Sequence, residues 1–123
     1  MTTAAAEARE QLLRQELARF IAIVTQQMQP ERIILFGSFV AGKVNEWSDL
    51  DLVVIAETDL PFYERIKQVL HSVRPQAGMD VLVYTPIEWA EMTSQRRFVQ
   101  EEIVNKGRVV YAQARCMRAC LCP

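Results

Sequence analysis

Phe36-Gly37-Ser38-Phe39-Val40-Ala41-Gly42-Lys43-Val44-Asn45-Glu46-Trp47-Ser48-Asp49-Leu50-Asp51-Leu52-Val53-Val54-Ile55 joins a glycine-serine break, a polar loop and an apolar run that opens with two acids. Leu50 to Ile55 predicts a β-strand, and side chains two apart on a strand point the same way. Asp49 and Asp51 therefore share one face, while Leu50 and Leu52 point to the other. Two like charges so placed repel each other, and a divalent cation relieves the conflict. Hard carboxylate oxygens suit Mg²⁺, which commonly binds one or two carboxylates together with substrate phosphates. Glycine lets a phosphate approach the backbone, and a serine hydroxyl beside it can donate to phosphate oxygens.

Upstream, Arg32-Ile33-Ile34-Leu35-Phe36 is short and bulky, as befits a strand covered on both faces. Before it, Leu13, Leu17, Phe20, Ile21, Val24 and Met28 recur at intervals of three and four, predicting a helix from about Glu7 to Met28 that Pro30 stops. Downstream, Thr58, Asp59 and Pro61 predict a helix start with a polar cap and a proline in its first turn. Phe62, Ile66, Val69, Leu70 and Val73 form that helix's buried face. Met79 to Tyr84 is a third strand with an acid, Asp80, near its start. Beside the second strand, Asp80 would bring a third carboxylate to the cluster, and three carboxylates suit a pair of metal ions ~4 Å apart. Thr85-Pro86-Ile87-Glu88 has the pattern of a capping box. The helix it begins continues, after a break near Thr93-Ser94, through Phe98, Val99, Ile103 and Val104 to Gly107. Val109 to Tyr111 adds a short edge strand. Strands alternating with helices give an α/β domain with a mixed sheet of three to four strands.

Composition narrows the functional classes. A formal net charge of −1 provides no basic field for nucleic acid, so nucleic acid is not expected as a direct ligand. No apolar run approaches the ~20 residues that span a bilayer, so no membrane association is expected. Residues 1–14 lack the apolar core of a signal peptide. All three cysteines (Cys116, Cys120, Cys122) fall in the last eight residues, which excludes a disulfide framework and suggests a reducing cytoplasm. Residues 7–111 read as one domain and residues 112–123 as a flexible tail. A chain of 123 residues has a high surface-to-volume ratio, so a homo- or hetero-oligomer would suit it.

The glycine-serine break, the spacer and the Asp-x-Asp strand resemble the signature of the polymerase-β nucleotidyltransferase superfamily. The finer resemblance is to its minimal nucleotidyltransferases, whose loop typically reads G-S-x-A-R-G-x5-S-D-x-D. Here Gly37-Ser38-Phe39-Val40-Ala41-Gly42 is followed, five residues later, by Ser48-Asp49-Leu50-Asp51. Asp80 falls where the family has its third acid. The loop departs at Val40 and at Ala41, which replaces the usual arginine; Lys43 is the nearest substitute. The resemblance covers residues 10 to 111.

The resemblance implies a polymerase-β-like fold and transfer of AMP from ATP to a hydroxyl. It implies that Asp49, Asp51 and Asp80 hold two Mg²⁺ ions and are catalytic, with Asp80 accepting the hydroxyl proton. Gly37 and Ser38 would bind the triphosphate, with Lys43 and Ser48 as further nucleotide-binding residues. Because the chain ends near the close of the catalytic unit, the acceptor is expected on another molecule. In the minimal family this is often a helical HEPN toxin, modified on a tyrosine by its antitoxin. Two other functions fit the same residues: a small-molecule nucleotidyltransferase completed by a second subunit, and a non-catalytic module that neutralises a partner by binding. His71 reads as a surface or core-edge side chain, Arg96 and Arg97 as a solvated helix face, and Trp89 as packing; Trp47 sits in the loop of the site.

Overall fold

The computed structural model describes residues 3–113. Helix α1 (Ala4–Met28) starts earlier than its apolar stripe suggests, because Thr3 caps it by accepting from the Ala6 N–H. Gln29 ends it in the left-handed region, and Pro30 follows. Strands β1 (Arg32–Phe36) and β2 (Leu50–Ile55) flank the loop, and α2 (Phe62–Val73) links β2 to β3 (Met79–Tyr84). Helix α3 (Pro86–Gln95), a short π-helix (Val99–Asn105) and β4 (Arg108–Ala112) complete the chain. Gln113 donates through its backbone to Glu31 O and through its side chain to Gln29 O, tying the strand's end to the start of β1. The cysteine tail, 114–123, lies outside the described residues.

The sheet runs β3-β2-β1-β4, with β1 antiparallel to both neighbours and β2 parallel to β3. On one face Leu50, Leu52 and Val54 of β2 join Val81 and Val83 of β3 beneath Leu13, Phe20 and Val24 of α1 and Val69 and Val73 of α2. On the other, Val53 and Ile55 meet Trp89 of α3 and Val99 and Ile103 of the π-helix. Ile33 and Ile34 enter opposite clusters, so β1 is covered on both sides as expected. Fully burying one such aliphatic side chain stabilises the fold by ~1.5–3 kcal/mol.

Two polar side chains refine the expected helix faces. Arg65 is buried on α2; it donates to the carbonyls of Leu60 and Val83 and pairs with Glu88. Glu88 also closes the predicted capping box with Thr85. Glu16, buried on α1, accepts from Arg19 and from the Gln76 N–H, which ties α1 to the α2–β3 connection. At the start of α2, Pro61 occupies the cap position and no side chain caps the helix. The Thr58 hydroxyl instead accepts from the Leu60 N–H. Beyond α3, Val99 and Ile103 are buried, but Phe98 and Val104 are exposed: the chain departs from α-helical spacing, and the wider π turn shifts which residues face the sheet. No helix among the described residues is long and apolar enough to cross a membrane.

Candidate active site

The parallel register places Asp51 directly opposite Asp80. Both share the parity of the α3 and π-helix face, but they lie at the start of their strands. Asp51 is only partly covered and Asp80 is exposed. Their carboxylates are close enough to share a proton. Asp51 is pushed up from 3.8 to about 6, first by burial, then by the Asp80 charge, the shared proton and the Asp49 charge. Asp49 stands just before β2, with its carboxylate over Gly78. Asp51 and Asp80 therefore form a close pair with Asp49 at electrostatic range. Among the described residues no three acids, histidines or cysteines are drawn together tightly enough to enclose one ion. The donor chemistry still fits a divalent cation, because hard carboxylate oxygens from two neighbouring strands meet at their starts.

Two glycines make room for these acids. Gly37 takes φ +84° at the turn after β1, and a Cβ there would overlap Asp51 Oδ2. A Cβ on Gly78 would overlap Asp49 Oδ1. The loop after Gly37 folds as a tight turn: Ala41 N–H donates to Gly37 O and Lys43 N–H to Ser38 O. Both ends of the loop are held by α1: Arg14 lies over the Phe39 ring at 5.6 Å near its start, and Arg9 donates to Glu46 O at 2.8 Å near its end. A cavity of about 470 Å³ opens between this turn and the π-helix, lined by Gly37, Ser38, Val40, Ala41, Lys43, Glu102 and Lys106.

Gly37, Ser38 and Lys43 thus share one cavity. Ser48 does not join them. It is buried, and its Oγ accepts from the Asn45 N–H at 2.8 Å, so it is committed to the turn before β2. The adjoining Trp47 is 75% exposed. His71 is exposed, Trp89 is buried as packing, and Arg97 pairs with Glu101 on the surface. Glu102 and Lys106 escaped sequence reasoning: they lie more than 50 residues from the loop, and no local pattern connects the two.

A glycine turn, a strand carrying two acids and a third acid on the neighbouring parallel strand lie together at one end of the sheet. Residues 19–115 match the family described as Polymerase beta, Nucleotidyltransferase, and the chain belongs to that family of enzymes. Over 99 residues it is 33% identical to the Haemophilus influenzae protein described as "Probable protein adenylyltransferase MntA", a match covering 78% of each chain. Its fold is similar to a crystal structure of a candidate nucleotidyltransferase from Sulfolobus solfataricus (TM-score 0.65, 13% identity, 91% of each chain). It is also similar to a chain of a toxin–antitoxin crystal structure with AMP-PNP (TM-score 0.55, 17% identity, 83% of this chain and 77% of that one).

Proposed function

We propose that this enzyme is an antitoxin that transfers AMP from ATP to a tyrosine hydroxyl of a helical HEPN-type toxin in the cytoplasm. The observation that carries the reading is the pairing of Asp51 with Asp80 beside the Gly37 turn, with Asp49 at electrostatic range. The adenylyltransferase relative and the toxin–antitoxin neighbour with an ATP analogue support the nucleotide and the partner.

In this reading Gly37 and Ser38 hold the β- and γ-phosphates, with Lys43 adding positive charge on the same cavity. Asp49, Asp51 and Asp80 are the residues that would hold two Mg²⁺ ions, which when bound neutralise phosphate charge and acidify the acceptor hydroxyl. The acceptor oxygen attacks the α-phosphorus, the bond to the β-phosphate oxygen breaks, and pyrophosphate leaves. Asp80, the most exposed of the three acids, accepts the hydroxyl proton. Little covalent chemistry falls to the protein; positioning and charge carry the rate.

The test is incubation of the full chain with α-labelled ATP, Mg²⁺ and the product of the adjacent gene. Label on a tyrosine of that partner, lost in the Asp49→Ala, Asp51→Ala double variant, is the expected result. Label on a small molecule alone would overturn the antitoxin reading. Full neutralisation of the partner in cells by the double variant would overturn the catalytic one.

A further inference from the structure

The cavity beside the glycine-serine turn has a second wall from the far end of the domain. Glu102 and Lys106, on and just after the π-helix, face the turn residues Gly37 to Lys43 across about 470 Å³, within the ~300–1,000 Å³ typical of small-molecule sites. Lys43 and Lys106 are the cations among its lining residues, and Glu102 is the anion.

The position of Lys106 is fixed by its neighbour. The Gly107 N–H donates to Ile103 O at 2.9 Å, and a Cβ on Gly107 would press on Ile103 O, the Ile34 side chain and Leu35 O. The end of the π-helix is thus seated against β1 two residues before Gly37. A π turn inside a helical segment re-aims the side chains that follow it; here the result is a lysine beside the loop. Lys106 Nζ donates to Glu102 Oε1 at 3.0 Å, with both side chains substantially exposed. Such a pair is weak and readily exchanged for a stronger anion.

We propose that Lys106 binds the polyphosphate tail of the nucleotide opposite the Gly37–Lys43 turn, and that Glu102 holds Lys106 in place until the phosphates displace it. This rests on the nucleotidyl-transfer reading and adds to it a residue that governs triphosphate affinity. A polyphosphate offers several oxygens of greater charge density than one carboxylate, so exchange of partners is favourable. Glu102 left in the cavity repels the incoming phosphates, so the two residues have opposite effects on affinity.

The experiment is calorimetric titration of the full chain with ATP and Mg²⁺, alongside thermal unfolding of each variant. Lys106→Ala is expected to weaken ATP binding about tenfold with the unfolding midpoint almost unchanged. Lys106→Arg is expected to retain most of the affinity, and Glu102→Gln to tighten binding about two- to threefold. Ala41→Arg, placing a long cation on the same cavity, is expected to recover part of the loss in Lys106→Ala. Unchanged ATP affinity in Lys106→Ala, or weaker binding in Glu102→Gln, overturns the inference while leaving the nucleotidyl-transfer reading intact. Failure of the wild-type chain to bind any nucleoside triphosphate removes both.

Discussion

Replacing Asp51 by Asn removes a charge that the folded chain holds at a cost. In the fold the carboxyl titrates at about 6 instead of 3.8, because it is partly buried and faces Asp80 and Asp49. The folded state therefore binds this proton more tightly than the unfolded state. The stability linked to it is fully present below pH 3.8 and is lost as pH rises through about 6. At ~1.4 kcal/mol per pH unit the gap corresponds to about 3 kcal/mol, and screening by the water that reaches Asp51 reduces it to about 1–2 kcal/mol. Asparagine has nearly the same shape, carries no charge and can still donate to Asp80. Asp51→Asn should thus be more stable than the wild type at pH 7.5 in a chelating buffer, raising the unfolding midpoint by roughly 4–8 °C. The advantage should shrink steadily below pH 6 and be gone near pH 4. Adding Mg²⁺ and ATP should reverse the order, since ligands that bind only the acidic site stabilise only the wild type. AMP transfer should be absent in the variant throughout. Thermal unfolding followed by circular dichroism across pH 4–8 measures all of this. A variant less stable than wild type at pH 7.5, or an advantage unchanged at pH 4, would refute the claim that repulsion and burial act on Asp51.

Two further outcomes follow from the packing. Gly78→Ala should displace the Asp49 carboxylate, which a Cβ would overlap; because that side chain can swing away, we expect transfer activity to fall at least tenfold with about 1 kcal/mol or less of lost stability. Arg65→Met should cost about 3 kcal/mol in denaturant unfolding, since it strips the Leu60 and Val83 carbonyls and Glu88 of their buried donor. Glu88 is held below its ordinary 4.5 mainly by Arg65, so in the wild type its contribution is present above pH 4.5 and lost as pH falls beneath it; Arg65→Met should flatten that acid limb.

Much of the architecture was legible because it is written in short-range patterns. The β2 and β3 boundaries follow from apolar runs set off by Ser48-Asp49 and by Gly78, and the Thr85–Glu88 capping box is a four-residue signal that the structure reproduces. Glu16 and Arg65 were illegible for the opposite reason. A charged residue on a helix reads as solvent-facing unless its partner on another element is known, and those partners here lie 60 and 23 residues away. The spacing of Phe98, Val99, Ile103 and Val104 does not tell which of them face the sheet, because that depends on the π-helical winding of Val99–Asn105. The Ser48 hydroxyl accepts from the Asn45 N–H three residues away, a contact within the turn that the residue's place in the loop motif does not reveal.

Sequence alone determined which acids could cooperate, because alternation along a strand puts Asp49 and Asp51 on one side whatever surrounds them. It also marked Gly37 as a point where the backbone turns. Tertiary structure decided that Asp80 meets Asp51 rather than another residue, since only the parallel register of β2 with β3 aligns them. It decided, too, that Glu102 and Lys106 close the cavity over Gly37 and Ser38. Local pattern follows from the covalent geometry of neighbouring residues; adjacency between distant segments follows from how sheet and helices pack, which no short window of sequence contains.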